Sequence, residues 1–193
     1  MPSPRRRSEV DAEFRETIAQ MLRCISADGL AAFPGWQTPA GQSRVLRFQP
    51  VRSRLDQVNR GRLFLSVERV FVLATDAAGR PHVRTQSYIY NVFDAHDRRV
   101  LGWHYHPEGR GEQPIPIPHL HVYGEADVAG RTLSRLHLPT SRVELETVVT
   151  FLIEELGVEP REQYRRMERG EPRWRRILRD GSDIIARLEH GIA

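Results

Sequence analysis

The sequence contains no lysine and a single cysteine, Cys24, so all 29 of its Lys-plus-Arg residues are arginine. One cysteine can form neither an internal disulfide nor a zinc site built from thiolates. Cys24 lies in a predicted amphipathic helix, where we expect a buried and unreactive thiol. The formal net charge of +4 is spread along the chain. It permits an acidic partner such as nucleic acid without indicating one.

Long hydrophobic runs are also missing. No stretch approaches the roughly 20 apolar residues that span a bilayer, and MPSPRRRSEV is not followed by the apolar core of a signal peptide. These absences predict a cytoplasmic protein without a membrane partner. The length suits one well-buried domain. We therefore expect a disordered basic leader over residues 1–7 and a single domain over residues 8–193.

Hydrophobic periodicity predicts the elements of this domain. The spacing of Val10, Phe14 and Ile18 indicates a helix from Ser8 to about Ala27. The Gly- and Pro-containing stretch DGLAAFPGWQTPAGQ is typical of a connecting loop. Short strands follow, separated by turn sequences such as DAAGR and DAHDRR, so they must run antiparallel. The predicted strands are RVLRF, LFLSVERVFVLAT, HVRTQSYIYNVF, VLGWHYH and HLHVYGE.

The C-terminal part is predicted to be helical. Ser141 and Glu144 form a capping-box pattern ahead of an apolar stripe, and Gly157 is the expected end of that helix. One or two more helices, separated near Gly170, complete the chain, and their arginine-rich outer face is expected to carry Glu–Arg pairs. The predicted fold class is α+β, with an antiparallel meander of at least four strands flanked by an N-terminal helix and C-terminal helices.

Four histidines stand out between Val100 and Tyr123. They form two His-x-His pairs, one on either side of a loop rich in Pro and Gly. Alternate residues of a strand share a face. Each histidine pair therefore points one way, while Trp103 and Tyr105 of one strand and Leu120 and Val122 of the other point to the core. If the two strands pair as a hairpin, four imidazoles converge on one face. The four residues are His104, His106, His119 and His121.

Clustered imidazoles oppose burial unless something binds them, and a divalent metal ion such as Zn, Mn, Fe or Ni relieves that conflict. We expect all four histidines as ligands, with His106, His121 and Glu112 as the residues closest to the chemistry. A metal-bound water would then serve a hydrolytic reaction. A further ligand, or a base beside a metal-bound water, is expected from one of Glu108, Glu112, Glu125 or His137.

The wider run WHYHP…PHLH…LHLPTSRVELETVVTFLIEELGV resembles a family of small uncharacterised bacterial proteins with paired His-x-His motifs. It is also faintly similar to toxin-type proteins of toxin–antitoxin loci, over roughly Tyr88 to Gly157. That resemblance implies cleavage of RNA or modification of a nucleotide, with histidines as general acid and base.

The segment PHLHVYG resembles the strand motif of the histidine-triad nucleotide hydrolases, with Tyr123 in the place of the third histidine. This resemblance implies that His121 attacks a phosphorus atom, that His119 assists, and that Arg110 and Arg142 clamp the phosphate. The cupin metal enzymes also use His-x-His on a strand, and GWHYHPEGRGE offers Glu112 at a looser spacing than theirs.

A noncatalytic role is the alternative. A meander followed by a helix resembles the ubiquitin-conjugating architecture in outline, but no cysteine follows the sheet. The domain would then bind a partner protein, and the histidines would form a structural cluster. The favoured interpretation is a cluster that binds a divalent metal or a phosphate group and hydrolyses a nucleotide or nucleic acid such as RNA.

Overall fold

The computed structural model describes residues 6–34, 43–58, 61–107, 117–123, 127–128, 131–132 and 137–191. Four helices lie in these ranges: α1 (Arg7–Arg23), α2 (Leu145–Glu154), α3 (Glu162–Arg165) and α4 (Arg173–His190). The first seven strands are β1 (Gly29–Pro34), β2 (Ser43–Gln49), β3 (Ser53–Asp56), β4 (Arg62–Thr75), β5 (Pro81–Phe93), β6 (Arg99–Tyr105) and β7 (His119–Val122). The others are β8 (Asp127–Val128), β9 (Arg131–Thr132), β10 (His137–Pro139), β11 (Met167–Glu168) and β12 (Glu171–Pro172).

Eight strands form one antiparallel sheet. Its order is β1-β2-β4-β5-β6-β7-β10, and β3 pairs with the same long strand, β4, as β2 does. The meander β4-β5-β6-β7 at its centre agrees with the predicted strands, and the α+β prediction is confirmed. The two remaining pairs, β8-β9 and β11-β12, are short hairpins.

One face of the sheet packs against α1, α2 and α4. The predicted stripe of α1 is buried, with Phe14 and Ile18 fully excluded from solvent. Phe14 contacts Phe71 of β4, with ring centroids 4.8 Å apart. The core also takes in Cys24, and burial raises the pKa of this thiol to about 12, in keeping with the unreactive cysteine expected.

Two local predictions were wrong. The segment after α1 was predicted to be a loop, but residues 29–34 form β1, because they pair with β2 along the sheet edge. The helix α1 begins at Arg7, one residue before the predicted start at Ser8, and residues 1–5 of the predicted leader lie outside the described residues. Ser141 does not cap α2, because Glu144 occupies the N-cap position. Just before the helix, the N–H of Val143 donates to the Tyr88 hydroxyl.

The C-terminal prediction holds in outline. Gly157 adopts a left-handed conformation (φ 65°) just after α2, which lets the N–H of Val158 donate to the carbonyl of Leu152. A short hairpin, β11-β12, separates α3 from α4 near Gly170, where the sequence predicted a break between two helices. No helix among the described residues is long and apolar enough to cross a membrane.

Candidate metal centre

The two His-x-His pairs meet across a pair of neighbouring strands. β6 and β7 are antiparallel, and His104 lies directly opposite His119 in the register. The two rings are 5.7 Å apart between centroids, and His106 lies 5.5 Å from His119. The ring of His121 lies 4.5 Å from that of His104 and 4.8 Å from that of His119. The four imidazoles therefore form one cluster, as strand parity predicted.

The cluster faces away from the helices. Trp103, next to His104 in β6, is buried in the core and meets Phe151 of α2 edge to face, with centroids 5.6 Å apart. Because successive strand residues point to opposite faces, the histidines occupy the other side of the sheet. They are nevertheless poorly accessible, with His104 8% and His119 2% exposed. His106 and His121 are half-buried.

Three of the four histidines satisfy the geometry of a metal site. One ring nitrogen from each of His104, His106 and His119 lies within 4.8 Å of the other two. Three imidazole ligands around one ion is a ligand set that catalytic zinc sites use. His121 is not part of this group and lies beside it. The cluster can therefore hold a metal ion with three of the predicted ligands.

Hydrogen bonds fix the tautomers of two of these rings. Nε2 of His104 is 2.8 Å from Oδ1 of Asn91, on β5, and Nδ1 of His119 is 2.8 Å from the carbonyl oxygen of Ile117. Both oxygens only accept, so each of these ring nitrogens carries the proton and donates it. The lone pair is then on Nδ1 of His104 and on Nε2 of His119. This arrangement is how outer hydrogen bonds orient metal-binding histidines.

A glycine makes room for this hydrogen bond. Gly102 of β6 pairs with Asn91 on one side and with His121 on the other. A Cβ atom added at Gly102 would lie 2.6 Å from Oδ1 of Asn91 and 2.9 Å from Nε2 of His104. Both distances are shorter than carbon contacts allow, so a larger residue at this position would displace one partner of the hydrogen bond.

The electrostatics of the cluster favour a neutral ring at His104. Burial, together with the neighbouring imidazoles of His121, His119 and His106, lowers the pKa of His104 to about 3. A histidine must be neutral to donate its lone pair to a metal ion. His104 is therefore in the ligand-competent state at neutral pH.

The outer side of the cluster ends in an aromatic and a basic residue. The ring of Tyr123 stacks on that of His121 with centroids 5.6 Å apart and an angle of 14° between the planes. Its hydroxyl accepts a hydrogen bond of 3.0 Å from Nη1 of Arg99, which is exposed. Tyr123, which stands where the histidine-triad motif has its third histidine, therefore packs against the cluster.

The structure does not bring all the predicted site residues together. Arg142 was predicted as a phosphate clamp, but its guanidinium donates to Glu189 of α4, at 2.8 Å from Oε1, on the helix-covered side of the sheet. It is therefore not at the histidine cluster. His137 is in β10, and its backbone pairs with that of His121 in β7. Outside the described residues lie Glu108, Arg110, Glu112 and Glu125.

Two residues of the site were missed from the sequence. Asn91 and Gly102 lie in strands that were predicted correctly. Strand parity places Gly102 on the same face as His104, but the order of residues does not indicate that Asn91 faces them. The pairing depends on a register shift between Val92 and Phe93, at the end of β5. Only a signal for that bulge could have identified Asn91 as the partner of His104.

The fold and the site together define an α+β protein with a buried histidine cluster, able to bind a metal ion, on the face of its sheet opposite the helices. Comparison with protein-family models, with curated proteins and with solved structures finds no match.

Proposed function

We propose that this protein binds a divalent transition-metal ion at His104, His106 and His119 and uses it to hydrolyse a phosphoester of a nucleotide or nucleic acid. The observation that carries the proposal is the convergence of three ring nitrogens within 4.8 Å of one another. The hydrogen bonds of His104 and His119 support it, because they leave on each ring one nitrogen with a lone pair.

The ligand set favours a particular group of metals. Imidazole nitrogen suits Zn, Fe and Ni, whereas Mn and Mg prefer carboxylate and water oxygens. The three-residue group contains no carboxylate among the described residues. We therefore expect Zn²⁺, Fe²⁺ or Ni²⁺ to bind more tightly than Mn²⁺.

The proposed chemistry rests on three histidine ligands, which would leave a fourth coordination position for water or substrate. A bound metal ion of this kind lowers the pKa of a water ligand and polarises a phosphoryl oxygen. His121 lies beside the ligand group, with its ring 4.5 Å from that of His104, and we assign it the transfer of a proton to or from the reacting groups. Arg99, which is hydrogen-bonded to Tyr123 beside the cluster, would supply positive charge that attracts an anionic substrate.

The substrate class rests on resemblance and charge. The paired His-x-His motifs resemble those of a small bacterial protein family and, more faintly, toxin-type proteins of toxin–antitoxin loci. We extend this to a nucleotide or RNA substrate and a role in toxicity or defence. The net charge of +4 is compatible with such a substrate.

One observation favours the alternative of a noncatalytic protein-interaction module. His104 and His119 are almost completely buried, and closed metal sites in proteins are commonly structural. In that case the histidine cluster, with or without a metal ion, would stabilise β6 and β7 without any reaction, and the sheet would present a surface to a partner protein.

The test begins with metal stoichiometry. The full chain, purified without a histidine tag, is stripped with a chelator, titrated with Zn²⁺, Fe²⁺, Ni²⁺ and Mn²⁺, and measured by elemental mass spectrometry. We expect about one equivalent of a transition metal in the wild type and a loss of at least tenfold in affinity for His106→Ala and His119→Gln. His96→Ala is the matched control, since His96 is an exposed turn residue away from the cluster.

Activity is then measured on the loaded protein with bis(p-nitrophenyl) phosphate, nucleotides and RNA. We expect metal-dependent hydrolysis that His121→Ala reduces by about a hundredfold while metal binding persists. Metal binding without hydrolysis of any of these substrates would favour the noncatalytic module. Equal metal content in the wild type, His106→Ala and His119→Gln would refute the site itself.

A further inference from the structure

A polar cavity lies on the helix-covered side of the molecule, between the end of α1 and the beginning of α4. Its volume is about 290 Å³. The polar groups that line it are three guanidiniums, one amide and one phenol, and within the described part of the chain no carboxylate lines it. The lining residues are Gln20, Arg23, Tyr164, Arg173, Arg176 and Ile177.

Two carboxylates hold these guanidiniums in place from outside the cavity. Nη1 of Arg23 lies 2.7 Å from Oε1 of Glu16. Glu168 is shared, because it pairs with Arg176 and also lies 3.7 Å from Nε of Arg173. Three guanidiniums therefore face two carboxylates, which leaves an excess of one positive charge at the cavity.

Two of the arginines also lack acceptors for their Nε–H groups. Nε of Arg173 and Nε of Arg176 are buried from solvent and make no hydrogen bond among the described residues, although both side chains are partly exposed. The Glu168 carboxylate, 3.7 Å from Nε of Arg173, is too distant to accept a hydrogen bond from it. A buried donor that makes no hydrogen bond destabilises the folded state, more so when the group is charged. An oxygen-rich anion in the cavity would provide the missing acceptors.

The start of α4 adds to the positive potential. Arg173 is the first residue of this 18-residue helix, the N-cap Pro172 makes no side-chain capping bond, and the first turn carries no acidic residue. The positive end of the helix dipole is thus not offset by a carboxylate in its own first turn. In combination with the arginine cluster, it favours an anion.

We propose that this cavity binds a small phosphate-bearing ligand, such as inorganic phosphate, pyrophosphate or a phosphate monoester, through Arg23, Arg173 and Arg176. The fork of a guanidinium matches phosphate oxygens in two-pronged pairs, which an isolated cation does not. The volume is at the lower limit of small-molecule sites, which favours a compact ligand over a whole nucleotide. The site is independent of the histidine cluster, because the two lie on opposite faces of the sheet.

The test is calorimetric titration of the chelator-treated full chain with inorganic phosphate, pyrophosphate and AMP. We expect pyrophosphate or phosphate to bind, and Arg176→Gln to weaken binding at least tenfold while Arg176→Lys weakens it less. Arg179→Gln is the matched control: Arg179 lies on the same helix, pairs with Glu171 at 2.7 Å and does not line the cavity. Circular dichroism establishes that each variant is folded.

A second measurement reads the cavity directly. The ¹⁵N-labelled Nε–H signals of Arg173 and Arg176 should shift when phosphate is added, whereas that of Arg179 should not. Equal affinities of the wild type, Arg176→Gln and Arg179→Gln, or no binding of any of the three ligands, would overturn the proposal. Binding that Arg176→Gln leaves intact but His119→Gln abolishes would assign the phosphate to the histidine cluster instead.

Discussion

Oδ1 of Asn91 lies 2.8 Å from Nε2 of His104, so a residue of β5 determines which nitrogen of a β6 histidine can bind a metal ion. The amide oxygen accepts a hydrogen bond from the protonated ring nitrogen, Nε2. The lone pair of the ring is therefore on Nδ1. Gly102 makes this contact possible, since any Cβ atom there would intrude on both partners. The site thus depends on three strand residues that are separated in the sequence.

Replacing Asn91 with leucine should weaken metal binding. The variant removes the acceptor that orients His104, and loss of such an outer hydrogen bond typically costs about 10–100-fold in affinity. Affinity is measured by competition with a chromogenic chelator. Ser66→Ala is a suitable control, because Ser66 is the other cross-strand neighbour of Asn91. An unchanged affinity of Asn91→Leu would show that the hydrogen bond does not orient the ligand.

Replacing Gly102 with alanine should weaken the fold and the site together. The new methyl group would lie 2.6 Å from Asn91 and 2.9 Å from His104. Relief of such overlaps costs about 1–3 kcal/mol of unfolding free energy. Urea denaturation measures this quantity, with Gly29→Ala as the control, since a Cβ atom at Gly29 meets nothing within 4 Å. Equal stabilities of the two variants would contradict the packing argument.

The metal-free protein should lose stability as the pH falls below neutrality. The pKa of His104 is lowered to about 3 in the folded state, from 6.5, so the unfolded chain binds the proton first. The stability that the neutral ring contributes is complete above pH 6.5 and is lost between pH 6.5 and 3. For this one group the loss between pH 7 and pH 5 is about 2 kcal/mol.

This pH dependence is measured by urea denaturation at pH 7 and pH 5 in the presence of a chelator. His104→Asn removes the titrating group and should reduce the difference between the two pH values. If the difference is the same in the wild type and the variant, His104 is not its source.

Removal of the charge at Glu189 should strongly destabilise the protein. Its carboxylate lies 2.9 Å from Nη2 of Arg69, whose side chain is almost completely buried in the core, and also accepts a bond from Thr85. Glu189→Gln leaves the Arg69 charge poorly compensated, and an uncompensated buried charge costs about 3 kcal/mol.

Thermal and urea unfolding measure this effect. Glu171→Gln serves as the comparison, since Glu171 pairs with Arg179 at the surface, and we expect little change there. Similar destabilisation by the two substitutions would mean that burial of Arg69 does not make its ion pair costly to break.

Cys24 should resist thiol reagents as long as the protein is folded. Its side chain is buried and its pKa is raised to about 12, so the reactive thiolate is scarce at neutral pH. With Ellman's reagent we expect no release of chromophore from the native protein and one equivalent in urea. Rapid reaction of the native protein would show that the end of α1 opens readily.

Some of the site follows from local sequence alone. In an extended strand alternate residues share a face, and this rule placed His104 and His106 together and Trp103 in the core. The stripe of apolar residues in α1 and the end of α2 near Gly157 were likewise set by short-range spacing. These features were predictable because they depend on the geometry of one chain segment.

Other features depend on which segments pair. β1 was not predicted because its strand character comes from pairing with β2. The ion pair of Arg142 with Glu189 was not predicted either, because the two residues are 47 positions apart in the sequence. The contact of Asn91 with His104 depends on the bulge at Val92 and Phe93. A register shift of one residue would turn Asn91 to the other face of the sheet.

The sequence by itself determined that this chain is an α+β protein with four histidines on one side of a β-hairpin, because periodicity is a local property. Only the tertiary structure decided that ring nitrogens of three of these histidines lie close enough together to bind one metal ion. It also decided that Asn91 and Gly102 orient His104 and that arginines of α1 and α4 line one cavity. Those relationships depend on register and helix packing, which are set by contacts between residues distant in the chain.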